Sequence, residues 1–476
     1  MKLYNDMTGQ LQELVPGDGE TFKMYACGPT VYNYFHIGNA RCFVIYDLLR
    51  RYLLWRGMKV KYLLNFTDID DKMIRRANEE GTDVARVAEK YIAEYYIDAD
   101  ALGVCRADVH PRATENIPQI IELVQRLIDK GYAYTVPPND AGDSDVYFSA
   151  KAFKDYGKLS HMPMDNLEAG ARVEVGELKR DPMDFALWKA QKPGEPAWQS
   201  PWGMGRPGWH IECSVMALRY LGETIDLHGG GADLIFPHHE HEIAQSEAAT
   251  GKPFALCWAH NGMINIDNRK MAKSAGNFFT VRDAANVYGY LPIRYFLLSG
   301  HYRSPINYTA EALFAAKASL ERINTCLDNI QFALSHSMDF SANAEAAELN
   351  EKLNAQRAAF IAAMDDDLNT AGALAAVFEM VRIINTALAA YAHTAPRVLV
   401  ELAQAHLGEL VDLLGLREKA DATASGDEVK IKELIELRAQ AKKARDFKLA
   451  DTYRDKLNEM GILLEDTPQG TKWKRK

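Results

Sequence analysis

The sequence predicts an α/β domain built on a parallel sheet and broken by an insertion, followed by an α-helical bundle and a small C-terminal module. Three observations predict it. Strand-like apolar runs alternate with amphipathic helices through the first third of the 476 residues, the order that βαβ units impose. From about Arg294 apolar side chains recur at helical spacing instead, as in a bundle. Residues 427–476 then hold thirteen Lys and Arg against ten Asp and Glu, inside a chain whose net charge is −10.

The first strand ends in KMYACG, residues 23–28, and ARCFVIYDLLRRYLLWRG has helical periodicity with a glycine stop. KVKYLLNFTD, residues 59–68, reads as the next strand. A strand–helix–strand unit of this kind implies parallel pairing through a right-handed crossover. A polar stretch punctuated by Pro and Gly, about residues 100–207, reads as an insertion. Strand–helix texture resumes with HIECSVMALRYLG, TIDLHGGGADLIF and CWAHNGMINID. The first domain is therefore expected over 1–265 and a loop region over 266–315. SLERINTCLDNIQFALSH, EKLNAQRAAFIAAM and GALAAVFEMVRIINTALAAYA supply the helices of a bundle over 316–417. Residues 418–426 have linker composition, and 427–476 form the final module.

Composition narrows the function classes. Hydrophobic residues at 47% and charged residues at 25% suit a globular protein with a sizeable core. No run of about 18 uninterrupted apolar residues occurs, so no membrane span is expected. MKLYNDMTGQ lacks the basic and apolar regions of a secretory leader. The six cysteines show no CxxC spacing, which points to a reducing cytoplasm. Net negative charge gives no global signal for nucleic acid, but the basic terminal module, ending TKWKRK, keeps an RNA partner open.

The stretch FPHHEHE, residues 236–242, sets three histidines and two glutamates just after HGGGAD. The HExxH zinc template fails there, because His239-Glu240 is followed by His241, Glu242 and Ile243. The i,i+4 pair that exists is His238 and Glu242, which a helix puts on one face about 5–6 Å apart. Pro237 suits a first helical turn. Such a pair is a chelator or an ordinary polar pair on an exposed face. Cys27 closes the first strand and Cys213 lies in a predicted helix. Strand ends of an open α/β sheet share one crevice, so a Cys-Cys-His-Glu set can converge there. Taken singly, each cysteine reads equally as buried core.

A second group of residues points to phosphate. Gly28-Pro29-Thr30 forms a turn, and His36-Ile37-Gly38-Asn39 opens the helix. Gly38 lets a nucleotide approach the backbone, and His36 and Asn39 stand at a helix N-terminus, where partial positive charge favours phosphate. Far downstream, NRKMAKSAGNFFTVRD carries Lys270 and Lys273 in a Gly/Ser-containing loop. Two lysines so placed can stabilise a departing pyrophosphate.

HIGN after the first strand and KMAKS far downstream resemble the HIGH and KMSKS signatures of class I aminoacyl-tRNA synthetases, which flank a Rossmann catalytic domain. The chain is most similar to the cysteinyl-tRNA synthetase family. YACGPTVYNYFHIGNAR, NFTDIDDKMIRRANEEG, PMDFALWK, GRPGWHIECS, DLHGGGADLIFPHHEHEIAQSEA and GILLEDTPQGTKW all look like its hallmarks, so the resemblance spans essentially the whole chain.

The resemblance implies a reaction: ATP, entering with Mg²⁺, activates L-cysteine, which passes to the 3′ end of tRNA(Cys). It implies one Zn²⁺ per chain, held by Cys27, Cys213, His238 and Glu242. His36, Asn39, Lys270 and Lys273 match the catalytic signatures; His36, Gly38, Asn39 and Lys273 would bind ATP. Thr67, Trp209 and Asp233 would surround the amino acid. Residues 1–265 would be the Rossmann domain with its connective insertion, and 266–315 the KMSKS loop and stem-contact region. Residues 316–417 would be the anticodon-side bundle and 427–476 the anticodon-recognition module. A cytoplasmic monomer is the family expectation.

Two departures stand out: Asn39 replaces the second His of HIGH, and Ala272 replaces the Ser of KMSKS. Of Asp68, Asp70 and Asp71, two read as a solvated turn. Asp365 to Asp367 read as helix-start carboxylates. The alternatives are a ligase joining cysteine to an amino sugar, whose family lacks the C-terminal module, and a degenerate zinc- or RNA-binding paralogue.

Overall fold

The computed structural model describes residues 1–162, 178–266, 269–270, 279–339, 343–391, 394–417, 425–467 and 470–475. Two compact units emerge. The first comprises Met1–Leu320, Ala359–Ala375 and Leu413–Gly415; the second comprises Glu321–Ala358, Ala376–Asp412 and Leu416–Lys476.

The first unit opens with a hairpin, β1 (Lys2–Asn5) and β2 (Gln10–Glu13), then β3 (Thr21–Ala26), α1 (Ile37–Trp55) and β4 (Lys59–Leu64). The α1 helix starts where its own sequence caps it. His36 Nδ1 accepts the Asn39 backbone N–H at 3.1 Å, and Asn39 Oδ1 accepts that of His36 at 3.4 Å. Such reciprocal capping satisfies two otherwise orphaned donors. Phe43, Val44, Ile45, Leu48, Leu49 and Leu53 are all buried, which suits a crossover helix inside the core. Next come α2 (Asp71–Glu80), α3 (Val84–Ala101) and α4 (Ile117–Asp129).

An antiparallel sheet interrupts the parallel one: β5 (Ala133–Thr135), β6 (Val146–Phe148), β7 (Phe185–Ala190), β8 (Trp198–Ser200) and β9 (Gly203–Pro207), in the order β5-β6-β7-β9-β8. Its Lys189 and Arg206 both pair with Asp71 at the start of α2. The chain then continues with α5 (Trp209–Leu221), β10 (Ile225–Gly231), α6 (Glu240–Thr250) and β11 (Ala255–Asn261). After these come β12 (Ile264–Ile266), β13 (Arg269–Lys270), α7 (Val281–Tyr288), α8 (Tyr290–Leu298) and β14 (Ile306–Tyr308).

The central sheet runs β11-β10-β3-β4, with every pair parallel, as the sequence pattern predicts. From β3 the chain moves first to one neighbour, β4, and only later to the other, β10. The carboxyl ends of β3 and β10 therefore frame the switch point at which open α/β sheets bind ligands. A continuous apolar core reaches from Tyr25 and Leu63 through Phe148 and Trp188 to Cys213, Ile243 and Trp258.

The helices α9 (Ala310–His336), α10 (Asn343–Asp365), α11 (Thr370–Ala389) and α12 (Arg397–Leu414) follow. Asp365 ends α10 and opens no helix, contrary to the sequence expectation. It accepts from Arg56 Nη1 at 2.7 Å and Tyr52 OH at 2.8 Å. Asp367, at φ 55, accepts from Tyr4 N, Tyr302 OH and Arg303 Nε, so its carboxylate ties β1 to the rest of the unit. Local composition cannot reveal such long-range partners. The α11 helix is 20 residues long with mean hydropathy 1.5, long and apolar enough to cross a bilayer. Its Ala373, Val377, Met380, Val381 and Ile384 are buried within the protein.

Within the second unit, Leu353, Val377, Met380, Val400, Leu407 and Leu410 are buried, and Arg357 holds Glu409 through two hydrogen bonds of 2.8 and 3.0 Å. Residues 418–424 of the expected linker lie outside the described residues. The last elements are α13 (Ser425–Lys443), α14 (Phe447–Glu459) and the hairpin β15 (Ile462–Thr467) with β16 (Gly470–Arg475). They close on Ile431, Leu457 and Ile462, with Arg438 bidentate on Asp466.

Candidate active site

A crevice of about 510 Å³ opens at the switch point. Cys27 follows directly after β3, and its N–H donates to Gly229 O at 3.2 Å. Next to it, the Gly28 N–H donates to Asn65 Oδ1 at 2.9 Å. A Cβ on Gly28 would stand 1.7 Å from Asn65 O, so only glycine lets the two strand ends approach. On the adjacent strand β10 Gly229 is under similar constraint, because an added Cβ would meet the Tyr46 ring at 2.2 Å. Tyr46 OH in turn donates to Ala259 O at 2.6 Å and accepts the Gly230 N–H at 2.8 Å.

FPHHEHE is neither exposed nor one regular helix. Ile235–His239 form a wide turn in which Phe236 is extended and Phe236–Pro237 is cis, and α6 starts only at Glu240. Pro237 thus precedes the helix instead of opening it. The expected i,i+4 contact survives: His238 Nε2 lies 3.0 Å from Glu242 Oε1, with both side chains almost fully buried. Cys27 Sγ approaches Glu242 Oε1 at 3.5 Å and His239 Nε2 at 3.3 Å. One ligand atom from each of Cys27, His238, His239 and Glu242 lies within 4.8 Å of the others. Cys213, buried in α5, has its thiol hydrogen-bonded to Cys27 and His238. The structure thus brings Cys27, Cys213, His238 and Glu242 together, and adds His239.

The charges in this cluster are interdependent. Burial pushes the Glu242 carboxyl up, but His228 and His238 outweigh it and hold the pKa at about 2. Burial pulls His238 down, but Glu242 and Cys213 outweigh it and raise the pKa to about 10. Burial pushes Cys27 well up, whereas the hydrogen bond from Cys27 draws Cys213 down. Burial and the neighbouring His228 keep His239 neutral. Two thiols, an imidazole and an anionic carboxylate at one buried point are the donor set of a borderline dication such as Zn²⁺, so the residues present fit a metal. Outer partners are also in place. His228 Nε2 lies 2.9 Å from Glu242 Oε2, and His210 Nδ1 lies 2.9 Å from His238 Nδ1. Behind His239 the chain of contacts runs to His260 at 2.7 Å and on to Asp6 at 2.8 Å.

The rest of the crevice is more open. His36, Gly38 and Asn39 line it, as do Trp209 and Asp233. Trp209, 38% exposed, stacks on His238 with ring centroids 4.4 Å apart. Thr67 lies deeper and buried: its carbonyl accepts the Val31 N–H and its own N–H donates to Pro29 O. Lys270 has its backbone in β13, opposite Asn265, and Lys273 and Ala272 lie outside the described residues. The aspartates after β4 divide three ways. Asp68 is buried and accepts from Thr114 N and Oγ1; Asp70 caps α2; Asp71 pairs with Lys189 and Arg206.

Residues 13–318 match the model of the tRNA synthetases class I (C) catalytic domain, and residues 359–418 match the DALR domain. Proteins named cysteine--tRNA ligase from Clostridioides difficile (strain 630) and Caldicellulosiruptor saccharolyticus are each 53% identical, over 100% of both chains. The chain belongs to the cysteinyl-tRNA synthetase family. Its fold is shared with synthetases far outside that family. Methionyl-tRNA synthetase from Mycobacterium tuberculosis, solved with methionyl-adenylate, has a TM-score of 0.61 at 16% identity, covering 83% of this chain and 90% of that one. The LeuRS–tRNA–LeuAMS complex from Agrobacterium radiobacter K84 has a TM-score of 0.59 at 13% identity, covering 85% and 86%.

Sequence reasoning missed His228, His239, His260 and Asn65. A signal was present for one. Asp226 and His228 alternate within a strand paired on both sides, where polar side chains are expensive unless they have partners.

Proposed function

We propose that this chain is a cysteine--tRNA ligase, acting on L-cysteine, ATP·Mg²⁺ and tRNA(Cys). The observation that carries the reading is the convergence of Cys27, Cys213, His238 and Glu242 beside a nucleotide crevice, in a chain 53% identical end to end to proteins of that name. In the first step the cysteine carboxylate attacks the α-phosphorus of ATP, forming cysteinyl-adenylate and releasing pyrophosphate. In the second, a hydroxyl of the terminal adenosine attacks the adenylate carbonyl, and AMP leaves.

Cys27, Cys213, His238 and Glu242 would hold one Zn²⁺, with His228 and His210 orienting Glu242 and His238. Zn²⁺ there supplies a Lewis acid that prefers thiolate to a neutral hydroxyl, which separates cysteine from serine. A plain pocket distinguishes such near-isosteres by only about 10²-fold. Thr67, Trp209 and Asp233 surround the amino acid. His36 and Asn39 receive the nucleotide beside Gly38. Because His36 Nδ1 accepts the Asn39 N–H, the proton of the neutral ring sits on Nε2 as a donor. Lys270 and Lys273 neutralise charge on the departing pyrophosphate. Six unpaired cysteines suit a reducing cytoplasm.

Pyrophosphate exchange into ATP, run with cysteine and with serine, tests the reading. Cysteine should support exchange about 10⁴-fold better than serine or more. Metal-replete protein that shows no cysteine-dependent exchange would overturn the proposal. Charging of tRNA, in preference to ligation onto an amino sugar, separates it from the cysteine–amino-sugar ligases.

A further inference from the structure

Among the described residues that line the crevice, the charged side chains are few: one carboxylate, Asp233, and one ammonium, Lys72. Lys72 belongs to the first turn of α2, is exposed to solvent and carries no role in the reaction as described so far. Its acidic neighbours in sequence are already engaged. The Asp70 carboxylate caps α2 by accepting the Lys72 backbone N–H at 2.5 Å. Asp71 is held by Lys189 at 3.0 Å and by Arg206. The Lys72 ammonium stands instead 5.7 Å from the ring centroid of Tyr32, another residue of the crevice wall. An aromatic face holds an ammonium without cancelling its charge, so the Lys72 ammonium stands beside the crevice wall with its charge available.

Location adds to this. Asp71 and its two basic partners join α2 to the antiparallel sheet, and Lys72, the next residue, lines the crevice. Tyr32 and Asn33, also in the wall, lead into the His36 cap of α1. Lys72 therefore sits on the crevice wall between the start of α2 and the segment leading into α1.

We infer that Lys72 is a phosphate-binding residue at the mouth of the crevice, taking a phosphate of ATP or a phosphodiester of the RNA acceptor end. The inference rests on the proposed function, because it presumes a polyanionic substrate. Both sources present the same chemistry, and steady-state kinetics separates them. Lys72→Met and Lys72→Arg are compared with wild-type protein in cysteine-dependent pyrophosphate exchange and in tRNA charging, each with full KM determinations. Loss of a charge-assisted contact should raise the KM for the phosphate donor by about tenfold. The KM for cysteine should stay unchanged, and Lys72→Arg should retain most of the function.

A raised KM for ATP in exchange assigns the contact to the nucleotide. A raised KM for tRNA in charging, with exchange intact, assigns it to the RNA. Neither KM moving in Lys72→Met, in protein whose wild type is active, overturns the inference and leaves the proposed function standing. Inactive wild type would instead sink the proposed function first. Lys72 is exposed and makes no ion pair among the described residues, so the variant should keep its thermal midpoint; a KM for cysteine rising in parallel would mark a general disturbance and also overturn the inference.

Discussion

The two ends of the crevice are built on opposite plans. At the end proposed to take the amino acid, Cys27, Cys213, His238 and Glu242 are at most 7% exposed, drawn from one strand end, two helices and a turn, and locked by buried histidines. At the end proposed to take the nucleotide, His36, Gly38 and Asn39 are only partly buried and come from one helix start. The difference matches the tasks the proposed function assigns to the two ends. Discriminating one sulfur from one oxygen demands donors fixed before the substrate arrives, because any relaxation dilutes the preference. Handling a nucleotide, as proposed, demands access and partial positive charge, which a helix terminus supplies.

The sharpest way to break the contrast is to remove a ligand at the rigid end. His238→Ala and Cys213→Ser should each strip the metal and reduce cysteine-dependent exchange by about 10³-fold or more. The KM for ATP should move little. Metal analysis beside KM values for cysteine and ATP checks this; a variant that kept one metal per chain would remove its residue from the ligand set and point to His239 in its place.

The end proposed to take the nucleotide rests on a rigid support, and removing it tests whether that end tolerates loosening. Arg41, fully buried in α1, donates to the carbonyls of Gly262, Met263, His301 and Ser304 at 2.7, 3.1, 3.0 and 2.7 Å. Gly262 and Met263 line the crevice. Arg41→Met leaves all four carbonyls without this donor and should cost about 3–5 kcal/mol of stability. Urea unfolding measures the loss. In protein that remains folded, the KM for ATP should rise more than the KM for cysteine.

A milder change works outside the ligand set. His228→Asn removes the imidazole that orients Glu242 and should weaken metal affinity by about 10–100-fold while leaving the ligands in place. Competition with a chelator of known affinity reads this directly. An unchanged affinity would mean that Glu242 does not depend on His228 for its orientation.

Legibility in the sequence divided along the same line. The β3–α1–β4 unit was readable because local apolar periodicity and a glycine stop specify it, whereas the His36–Asn39 cap emerged only in the structure. The helix of Cys213 was readable for the same reason. Convergence of Cys27, Cys213, His238 and Glu242 was readable only as a possibility, since it depends on strand order, and residue spacing does not encode that β10 lies beside β3. The wide turn at 235–239 escaped because a proline before a helical pattern usually opens the helix itself. Asp365 and Asp367 were misread as helix-start residues because their partners, Arg56, Tyr4 and Arg303, lie far away in sequence. The histidines behind the ligands went unassigned because each looks like an ordinary core polar residue until its partner is known.

The smallest effect concerns how the rigid end responds to acid. His110 stacks on Phe66 at 5.3 Å, accepts the Ala107 N–H through Nε2 and contacts Leu64 O through Nδ1, thereby bracing the strand end that carries Asn65 and Thr67. Burial lowers its pKa to about 4, against the opposing hydrogen bond to Leu64. The ring is thus neutral in the folded protein down to about pH 4, whereas in the unfolded chain it takes a proton below about pH 6.5. Between those values the unfolded state binds more protons, so stability falls as the pH drops through the window and is unaffected above it. At pH 5 the share due to His110 should be about 1–2 kcal/mol, allowing for its partial exposure. His110→Gln, which keeps polar capacity without titrating, should be less stable than wild type at pH 7 and should close part of that gap at pH 5. Urea midpoints at the two pH values decide it: parallel losses in both proteins would assign the acid sensitivity to other histidines buried at this end, such as His210, His239 and His241, whose pKa values burial also depresses.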